Sequence, residues 1–207
     1  MKLLTVAVGA LSTNCYILMP DGAGECAVID AGGQGERIAS ELSGRKLVPK
    51  YVLSTHGHAD HTGGVHAVVS MSGGQFAMGA ADRAMALAPP EWLTALLPGF
   101  HVPPEPSLLL KGGEVLHVGD MVIEVIATPG HTPGSMCFRA GDNVFSGDTL
   151  FRGSIGRYDL PGGDGTQELA SIREKLLTLD DAVRVYPGHG PSTTIGHERR
   201  ANPYLQA

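Results

Sequence analysis

Four short motifs of histidine and aspartate each follow directly on an apolar, strand-like run of the chain. They are THGHADH at 55–61, PGHTPG at 129–134, GDT at 147–149 and PGHG at 187–190. Loops at strand ends can converge on one site while the strands hold them in place. We therefore expect a fold that brings these four strand ends together.

Strand-like runs form two groups, separated by a segment of different composition. Residues 80–106 are rich in Ala, Leu and Pro and contain the only Trp, which predicts short helices and loops there. The predicted helices cover residues 34–42, 61–71 and 167–177, with a short helix near the C-terminus. The predicted strands are LLTVAV, CYILM, ECAVID, KYVLST and QFAMG in the first half, and EVLHV, MVIEVIATPG, SMCFRA, NVFSGDT and VRVYPG in the second. This order predicts an α/β (α+β) chain with two sheets packed face to face and helices outside, as a single domain over residues 1–207.

Composition narrows the classes of partner. The formal net charge is -6 and no basic cluster is present, so we expect neither a nucleic-acid partner nor binding to an anionic membrane surface. The N-terminal run MKLLTVAVGALSTNCY has one Lys and is interrupted by Asn14, so we interpret it as a strand and expect a cytoplasmic protein. Three cysteines (Cys15, Cys26 and Cys137) lie in apolar runs without ligand spacing, which predicts buried free thiols.

The spacing of the first motif is typical of a metal site. In extended chain, His56 and His58 point to the same side and can reach one metal ion. Asp60 and His61 lie one step further, at the expected start of a helix, and would aim at a second ion. Asp148 has two carboxylate oxygens and could bridge the ions. Imidazole and carboxylate donors suit zinc, iron or manganese, and the lack of thiolate ligands favours a catalytic site.

HGHADH, together with His131, Asp148 and His189, resembles the HxHxDH pattern of the metallo-β-lactamase superfamily. The resemblance implies an αββα sandwich with mixed sheets and two divalent metal ions. It also implies ligand roles: His56, His58 and His131 for the first ion, Asp60, His61 and His189 for the second, and Asp148 as the bridge. Asp30, in VIDAG, would support the site from behind without binding metal.

Two further segments, GDTLFRGSIGRYDLPGGD and GPSTTIGHERRANPYLQ, resemble the small hydroxyacylglutathione hydrolase (glyoxalase II) branch. That branch implies hydrolysis of thioesters such as S-D-lactoylglutathione. The sequence has no GxSxG motif and no Cys near the histidines, so the nucleophile must come from water. Two cations sharing one water would supply a bridging hydroxide near neutral pH, and Asp60 could orient it.

The chain departs from the glyoxalase II pattern at the substrate end. Only one short helix is predicted after His189, so we expect the C-terminal domain that grips glutathione to be missing. Arg157, followed by Tyr158, stands where that branch has a substrate-binding Lys, and both are candidate substrate-binding residues. Trp92 and Phe100 could wall the pocket, although a core position for Trp92 is an equal alternative.

Other functions use the same residues differently. His56, His131 and Asp148 also match the two-histidine, one-carboxylate iron site of persulfide dioxygenases, which resemble this chain in the GR-x-D element at 156–159. Lactonase or β-lactamase activity is a further alternative, because the fold does not select among carbonyl substrates. A metal-binding module without enzyme activity is the remaining class. We expect a small-molecule thioester as substrate and either a monomer or a homodimer.

Overall fold

A computed structural model describes residues 1–22 and 24–206. Six strands form the first sheet, sheet I, in the order of the sequence. Strands β1 to β3 pair antiparallel, and β3 to β6 pair parallel. Their bounds are β1 Lys2–Val8, β2 Thr13–Met19, β3 Glu25–Ile29, β4 Val48–Ser54, β5 Gln75–Gly79 and β6 Leu108–Leu110.

The second sheet, sheet II, has six strands in the order β14-β13-β10-β9-β8-β7. Strands β10 and β13 pair parallel, and the other neighbours pair antiparallel. The bounds are β7 Val115–Val118, β8 Met121–Ala127, β9 Met136–Ala140, β10 Asn143–Gly147, β13 Arg184–Pro187 and β14 Thr193–Thr194. A small ribbon of β11 Leu150–Phe151 and β12 Ser154–Ile155 follows β10.

Helices cover the outer faces of both sheets. Apolar residues of α1 and α3 pack with those of sheet I, and apolar residues on and after α6 and on α7 pack with those of sheet II. The helices are α1 Gly35–Gly44, α2 Ala59–Thr62, α3 Val65–Ser72, α4 Arg83–Leu87, α5 Glu91–Thr94, α6 Gly165–Ser171, continued by a π-helical turn Ile172–Leu176, and α7 Ile195–Ala201. The predicted αββα sandwich with mixed sheets is confirmed.

The helix predicted over residues 61–71 is two helices in the structure. Gly63 and Gly64 separate α2 from α3. A side chain at Gly64 would place its Cβ 2.9 Å from the carbonyl oxygen of Ala31, so the chain passes too close to the end of β3 for any other residue. The apolar spacing alone carried no signal of this close approach.

The two sheets meet through large apolar side chains. Phe138 and Phe145 of sheet II pack in one buried cluster with Leu18, Ile29 and Tyr16 of sheet I. The rings of Tyr16 and Phe145 lie 5.0 Å apart between centroids, which joins the sheets directly. This layer positions the strand ends of one sheet against those of the other.

Two expectations about side-chain burial have opposite outcomes. All three cysteines are buried and free, as expected. The core alternative for Trp92 is wrong, because its side chain is 70% exposed on α5. In the described part of the chain, no helix has both the length and the apolar character needed to cross a bilayer.

Phe138→Ala should lower the free energy of unfolding by about 3–5 kcal/mol, because it leaves a cavity between the sheets. Val122→Ala is the control, since Val122 is 42% exposed on the adjacent strand and its truncation should change the free energy by about 0.5 kcal/mol or less. Urea unfolding followed by circular dichroism measures both variants. Equal losses would contradict the assigned inter-sheet packing.

Candidate metal centre

The histidine and aspartate motifs all lie just beyond the C-terminal ends of strands. His56 follows β4 of sheet I, whereas His131, Asp148 and His189 follow β8, β10 and β13 of sheet II. Strands β8, β10 and β13 run in the same direction, so their ends share one edge of sheet II. The end of β4 meets that edge, and the four loops form a single site.

Three imidazole nitrogens form the first group. His56 Nε2 lies 3.0 Å from His58 Nδ1, and His131 Nε2 lies 3.3 Å from the former and 3.0 Å from the latter. A tetrahedral metal with bonds of about 2.0–2.1 Å to nitrogen holds its ligand nitrogens about 3.3 Å apart. The triangle of nitrogens therefore has the size that such an ion requires.

Asp60, His61 and His189 form the second group. His189 Nε2 lies 3.2 Å from Asp60 Oδ2 and 3.3 Å from His61 Nε2. His61 Nε2 lies 3.6 Å from Asp60 Oδ2. One carboxylate oxygen and two imidazole nitrogens thus face a common point, and this is a donor set that zinc, iron and manganese accept.

Asp148 lies between the two groups. Its Oδ1 is 3.3 Å from His61 Nε2, and its Oδ2 is 3.8 Å from His131 Nε2 and 3.7 Å from His189 Nε2. Oδ1 is buried and accepts no hydrogen bond from the described residues. A buried carboxylate is costly without an opposite charge, and either a protonated His61 or a bound cation would supply that charge.

The protonation state of the three histidines in the first group suits the binding of a cation. Burial lowers the pKa of His56 well below its usual value, and the neighbouring imidazoles lower it further. Burial, followed by the charge of His131, lowers the pKa of His58 to about 4. Burial also lowers the pKa of His131, although Asp148 opposes this shift. All three rings are therefore neutral near pH 7, which leaves their lone pairs free for a metal.

The second group has the opposite character. Burial opposes protonation of His61, but Asp148, Asp30 and Asp60 outweigh it and raise its pKa well above the usual value. The pKa of His189 is also raised, since its hydrogen bond to Asp60 and the charge of Asp148 outweigh burial. A metal ion at this group has to displace protons, so its binding should weaken as pH falls.

The outward-facing ring nitrogens are held by the surrounding structure. His131 Nδ1 donates to the carbonyl oxygen of Arg157 over 2.7 Å. His56 Nδ1 donates to Thr55 Oγ1, which in turn donates to Asp30. Asp30 also accepts from the Thr55 backbone N–H and lies 3.0 Å from His61 Nδ1. Such supports fix ring orientation, and Asp30, one of these supports, lies behind the candidate ligand atoms.

The loop that carries His189 is hydrogen-bonded to the hairpin of β1 and β2. His189 Nδ1 donates to the carbonyl oxygen of Leu11 over 3.1 Å. The amide of Asn14 donates to the carbonyl oxygens of Pro187 and Gly190. The hydroxyl of Tyr16 donates to Pro187 over 2.7 Å. The N-terminal hairpin therefore positions a ligand candidate from the other end of the chain.

Residues 8–189 match the family described as the metallo-beta-lactamase superfamily. This range contains every histidine and aspartate of both groups. The chain belongs to the metallo-β-lactamase superfamily. The resemblance predicted from HGHADH is thus confirmed.

Two relatives in this superfamily align over nearly the whole chain. One is the probable metallo-hydrolase YqgX of Bacillus subtilis, 36% identical over 99% of this chain and 98% of its own length. The other is the hydroxyacylglutathione hydrolase GloC of Haemophilus influenzae, 35% identical over 100% of this chain and 99% of its own length. With its histidine and aspartate groups, the chain is a metal-dependent hydrolase of the superfamily.

Solved structures of the superfamily resemble it closely. The BLEG-1 B3 metallo-beta-lactamase has a TM-score of 0.92, with 36% identity and complete coverage of both chains. TTHA1623 in a di-iron-bound form has a TM-score of 0.85 and 36% identity, over 98% of this chain and 100% of its own. ETHE1 from Myxococcus xanthus has a TM-score of 0.82 and 27% identity, over 98% and 84%.

Asp82 was not predicted from the sequence. It connects the loop of His56 and His58 to the loop of His131. Its carboxylate is fully buried. Oδ2 accepts from the backbone N–H of Gly57 over 2.9 Å and from the hydroxyl of Thr132 over 2.6 Å. Oδ1 accepts from the N–H of Gly134 over 2.7 Å. Because Gly57 separates His56 from His58 and Thr132 follows His131, Asp82 fixes the first group from outside.

The two glycines bound by Asp82 leave room for it. A Cβ at Gly134 would lie 2.6 Å from Asp82 Cγ, and one at Gly57 would lie 2.9 Å from Asp82 Cβ. These are closer than real Cβ contacts, so each position requires glycine. Gly57 in HGH and Gly134 in HTPGS were therefore the features of the sequence that indicated a buried side chain packed against these two loops.

Glu168 is a second missed residue. It is fully buried on α6, and its carboxylate accepts the backbone N–H of His131. Burial raises the pKa of Glu168 to about 8. The helix after the ligand loop therefore helps to hold that loop in place.

The structure places the predicted substrate-binding side chains on the surface beside the site. The Arg157 guanidinium is 68% exposed and donates to both carboxylate oxygens of Asp159, over 3.0 and 2.9 Å. Tyr158 is 45% exposed, and a Cβ at Gly165 would lie 2.8 Å from its ring. Their loop contacts the site through its backbone, since the Arg157 carbonyl oxygen holds His131.

The central segment also borders the site. A Cβ at Gly63 would lie 2.8 Å from Phe100 Cδ2, so the Phe100 ring packs against the end of α2. The backbone N–H of His101 donates to the carbonyl oxygen of Gly63. The ring of His101 faces that of His66, 5.9 Å away between centroids.

Asp82→Asn should weaken metal binding at the His56, His58 and His131 group by about 10–100-fold, because an amide nitrogen would face backbone N–H donors. Competition with a chromophoric chelator measures the affinity. Glu105→Gln is the control. Glu105 forms an ion pair at the surface with Arg83, the residue that follows Asp82, so this variant should keep the wild-type metal affinity. Wild-type affinity in Asp82→Asn would contradict the role assigned to this carboxylate.

Proposed function

We propose that the protein is a glyoxalase II-like enzyme that hydrolyses thioesters of the S-D-lactoylglutathione type with two divalent metal ions. The observation that carries the proposal is the position of Asp148, within 3.3–3.8 Å of nitrogen atoms from both groups. A site for one ion would not require a complete second group on the far side of Asp148. The full-length similarity to GloC supports the thioester as substrate.

The donor atoms suggest how the ions would be held. We assign His56, His58 and His131 to one ion, Asp60, His61 and His189 to the other, and Asp148 to both. Zinc is our first choice for this nitrogen and oxygen set, and iron or manganese also suits it. The likeness to a di-iron-bound protein supports iron as the alternative.

When bound, two such cations lower the pKa of a shared water to near neutrality and polarise an acyl carbonyl. Asp60 can orient that water. Burial opposes ionisation of its carboxyl, but His61 and His189 outweigh it and hold the pKa of Asp60 below its usual range. The carboxylate therefore stays ionised and can accept a hydrogen bond from the attacking water.

The cysteine thiols do not compete with water as the nucleophile. Burial raises the pKa values of Cys26 and Cys137 to about 12, and it also raises that of Cys15. All three thiols are thus protonated and enclosed at neutral pH. In the proposed reaction water adds to the thioester carbonyl, the carbon–sulfur bond breaks, and the products are a carboxylic acid and a thiol.

Arg157 and Tyr158 are our proposed contacts to the thiol-bearing part of the substrate. Arg157 already binds a carboxylate in the two-pronged geometry that it would use for a substrate carboxylate. A substrate would replace Asp159 as its partner. The carbonyl oxygen of Arg157 holds His131, so a substrate bound to the Arg157 side chain would have a fixed position relative to the metal site.

We further propose a small-molecule substrate in the cytoplasm and a monomeric or homodimeric enzyme. The net charge of -6 supports the absence of nucleic-acid and anionic membrane partners.

Two other activities have specific support. The GR-x-D element at 156–159 favours a persulfide dioxygenase, which would use one iron on His56, His131 and Asp148. The likeness to BLEG-1 favours hydrolysis of a β-lactam. Both alternatives predict a different preferred substrate from the same residues.

The decisive measurement is hydrolysis of S-D-lactoylglutathione by the metal-loaded protein, with oxygen uptake on glutathione persulfide measured in the same preparation. We expect efficient hydrolysis without oxygen uptake. His189→Ala should abolish hydrolysis and lose one metal per chain, because the second group is incomplete without it. Oxygen uptake with negligible hydrolysis would overturn the proposal, as would a clear preference for a cephalosporin substrate.

Arg157→Gln should raise the KM for an anionic thioester about tenfold and leave kcat nearly unchanged, because the guanidinium would bind ground state and transition state alike. Steady-state kinetics measures both constants. Arg45→Gln is the matched control, since Arg45 is an exposed, carboxylate-paired arginine directly after α1. An unchanged KM in Arg157→Gln would contradict a substrate contact and would limit the role of Arg157 to its surface ion pair with Asp159.

A further inference from the structure

An open surface cavity of about 400 Å³ lies beside β13 and β14, and none of its lining residues belongs to the metal groups. The lining residues are Arg152, Arg184, Ser192, Thr193, Thr194 and His197. Two permanent positive charges and several hydroxyl groups therefore share one cavity.

Among the described residues, the two arginines of this cavity differ from the other eight arginines in their lack of a bonding partner. The sequence has ten arginines. Six form ion pairs with carboxylates, and Arg37 and Arg173 have other partners. Within residues 1–22 and 24–206, only Arg152 and Arg184 remain without one. Both line the same cavity.

This lack of partners runs against the composition. The chain has 21 acidic and 15 basic residues, so carboxylates are in excess. Two guanidinium groups around one cavity repel each other and gain from an anion between them. Guanidinium also matches phosphate oxygens in a two-pronged geometry.

The walls of the cavity are held rigidly by Glu198. This carboxylate is fully buried, and it accepts from the backbone N–H of Gly153 and the amide of Asn202, each over 2.8 Å. It also accepts from the hydroxyl of Thr193. The turn after Arg152 is thereby fixed to α7 and β14. Neutral donors satisfy Glu198, and His197 Nε2 lies 3.9 Å from its Oε1, so Glu198 has partners other than the two arginines.

Other donors complete the cavity. Thr194 Oγ1 accepts the backbone N–H of His197, which leaves its hydroxyl hydrogen for another acceptor. The ring of His197 is 47% exposed. Ser192 contributes a further hydroxyl to the lining.

We propose that this cavity binds a phosphate group, either inorganic phosphate or the phosphate of a small monoester. Two guanidinium groups balance a phosphate dianion, whereas two cations on a chain of net charge -6 are too few for a nucleic-acid backbone. The volume is that of a small-molecule site. The proposal is independent of the hydrolase reaction, because no residue of the cavity takes part in it.

The test is a titration of the metal-loaded protein with inorganic phosphate and with glycerol 3-phosphate, followed by backbone amide NMR shifts. We expect saturable shifts at Gly153, Thr194 and His197. Arg152→Gln and Arg184→Gln should each raise the Kd at least tenfold. Arg45→Gln removes the same charge elsewhere and should leave the Kd unchanged. The tighter of the two ligands identifies the source of the phosphate.

Three results would overturn the proposal. Shifts around His131 and His189 that persist in both arginine variants would place the phosphate at the metal centre. An equal loss in Arg45→Gln would reduce the effect to net charge. Equal affinity for succinate would remove the assignment to phosphate.

Discussion

The structure depends on holding together the imidazoles of His56, His58 and His131, whose lone pairs repel one another. Five imidazoles and two carboxylates converge at the sandwich edge, and nitrogens of the first group lie 3.0–3.3 Å apart. Neutral imidazoles whose lone pairs point at a common centre do not attract one another. The surrounding fold must therefore hold these rings in position. Buried strands, the inter-sheet layer and the carboxylates of Asp30, Asp82 and Glu168 together supply that constraint.

Two rings of the site are supported by backbone atoms of neighbouring loops. His131 and His189 are oriented by the backbone carbonyls of Arg157 and Leu11. A backbone carbonyl is present whatever the side chain. The side chain at position 157 can therefore change without disturbing the ring that its backbone orients. Such an arrangement lets residues around the site vary while its histidines keep their positions, which accords with a fold that does not by itself specify a reaction.

The sequence predicted the sandwich and the grouping of the motifs because both depend on local patterns. Apolar runs of strand length mark the sheets, and the motifs mark their ends. Asp82 escaped notice because its role depends on Gly57 and Gly134, which are distant in sequence and meet it only after folding. The split between α2 and α3 had the same origin, since Gly64 is required by the nearby Ala31 carbonyl. Exposure of Trp92 was equally a tertiary property that composition does not encode.

The clasp between the first hairpin and the His189 loop has a consequence for the order of events in biosynthesis. Its hydrogen bonds join residues more than 170 positions apart, such as Asn14 with Pro187 and Leu11 with His189. Contacts of such high sequence separation form late, because closing a long chain segment costs entropy before any contact repays it. A chain emerging from the ribosome holds HGHADH long before the His189 loop exists. The group of Asp60, His61 and His189 is therefore completed late in folding, when the two ends of this long segment have met.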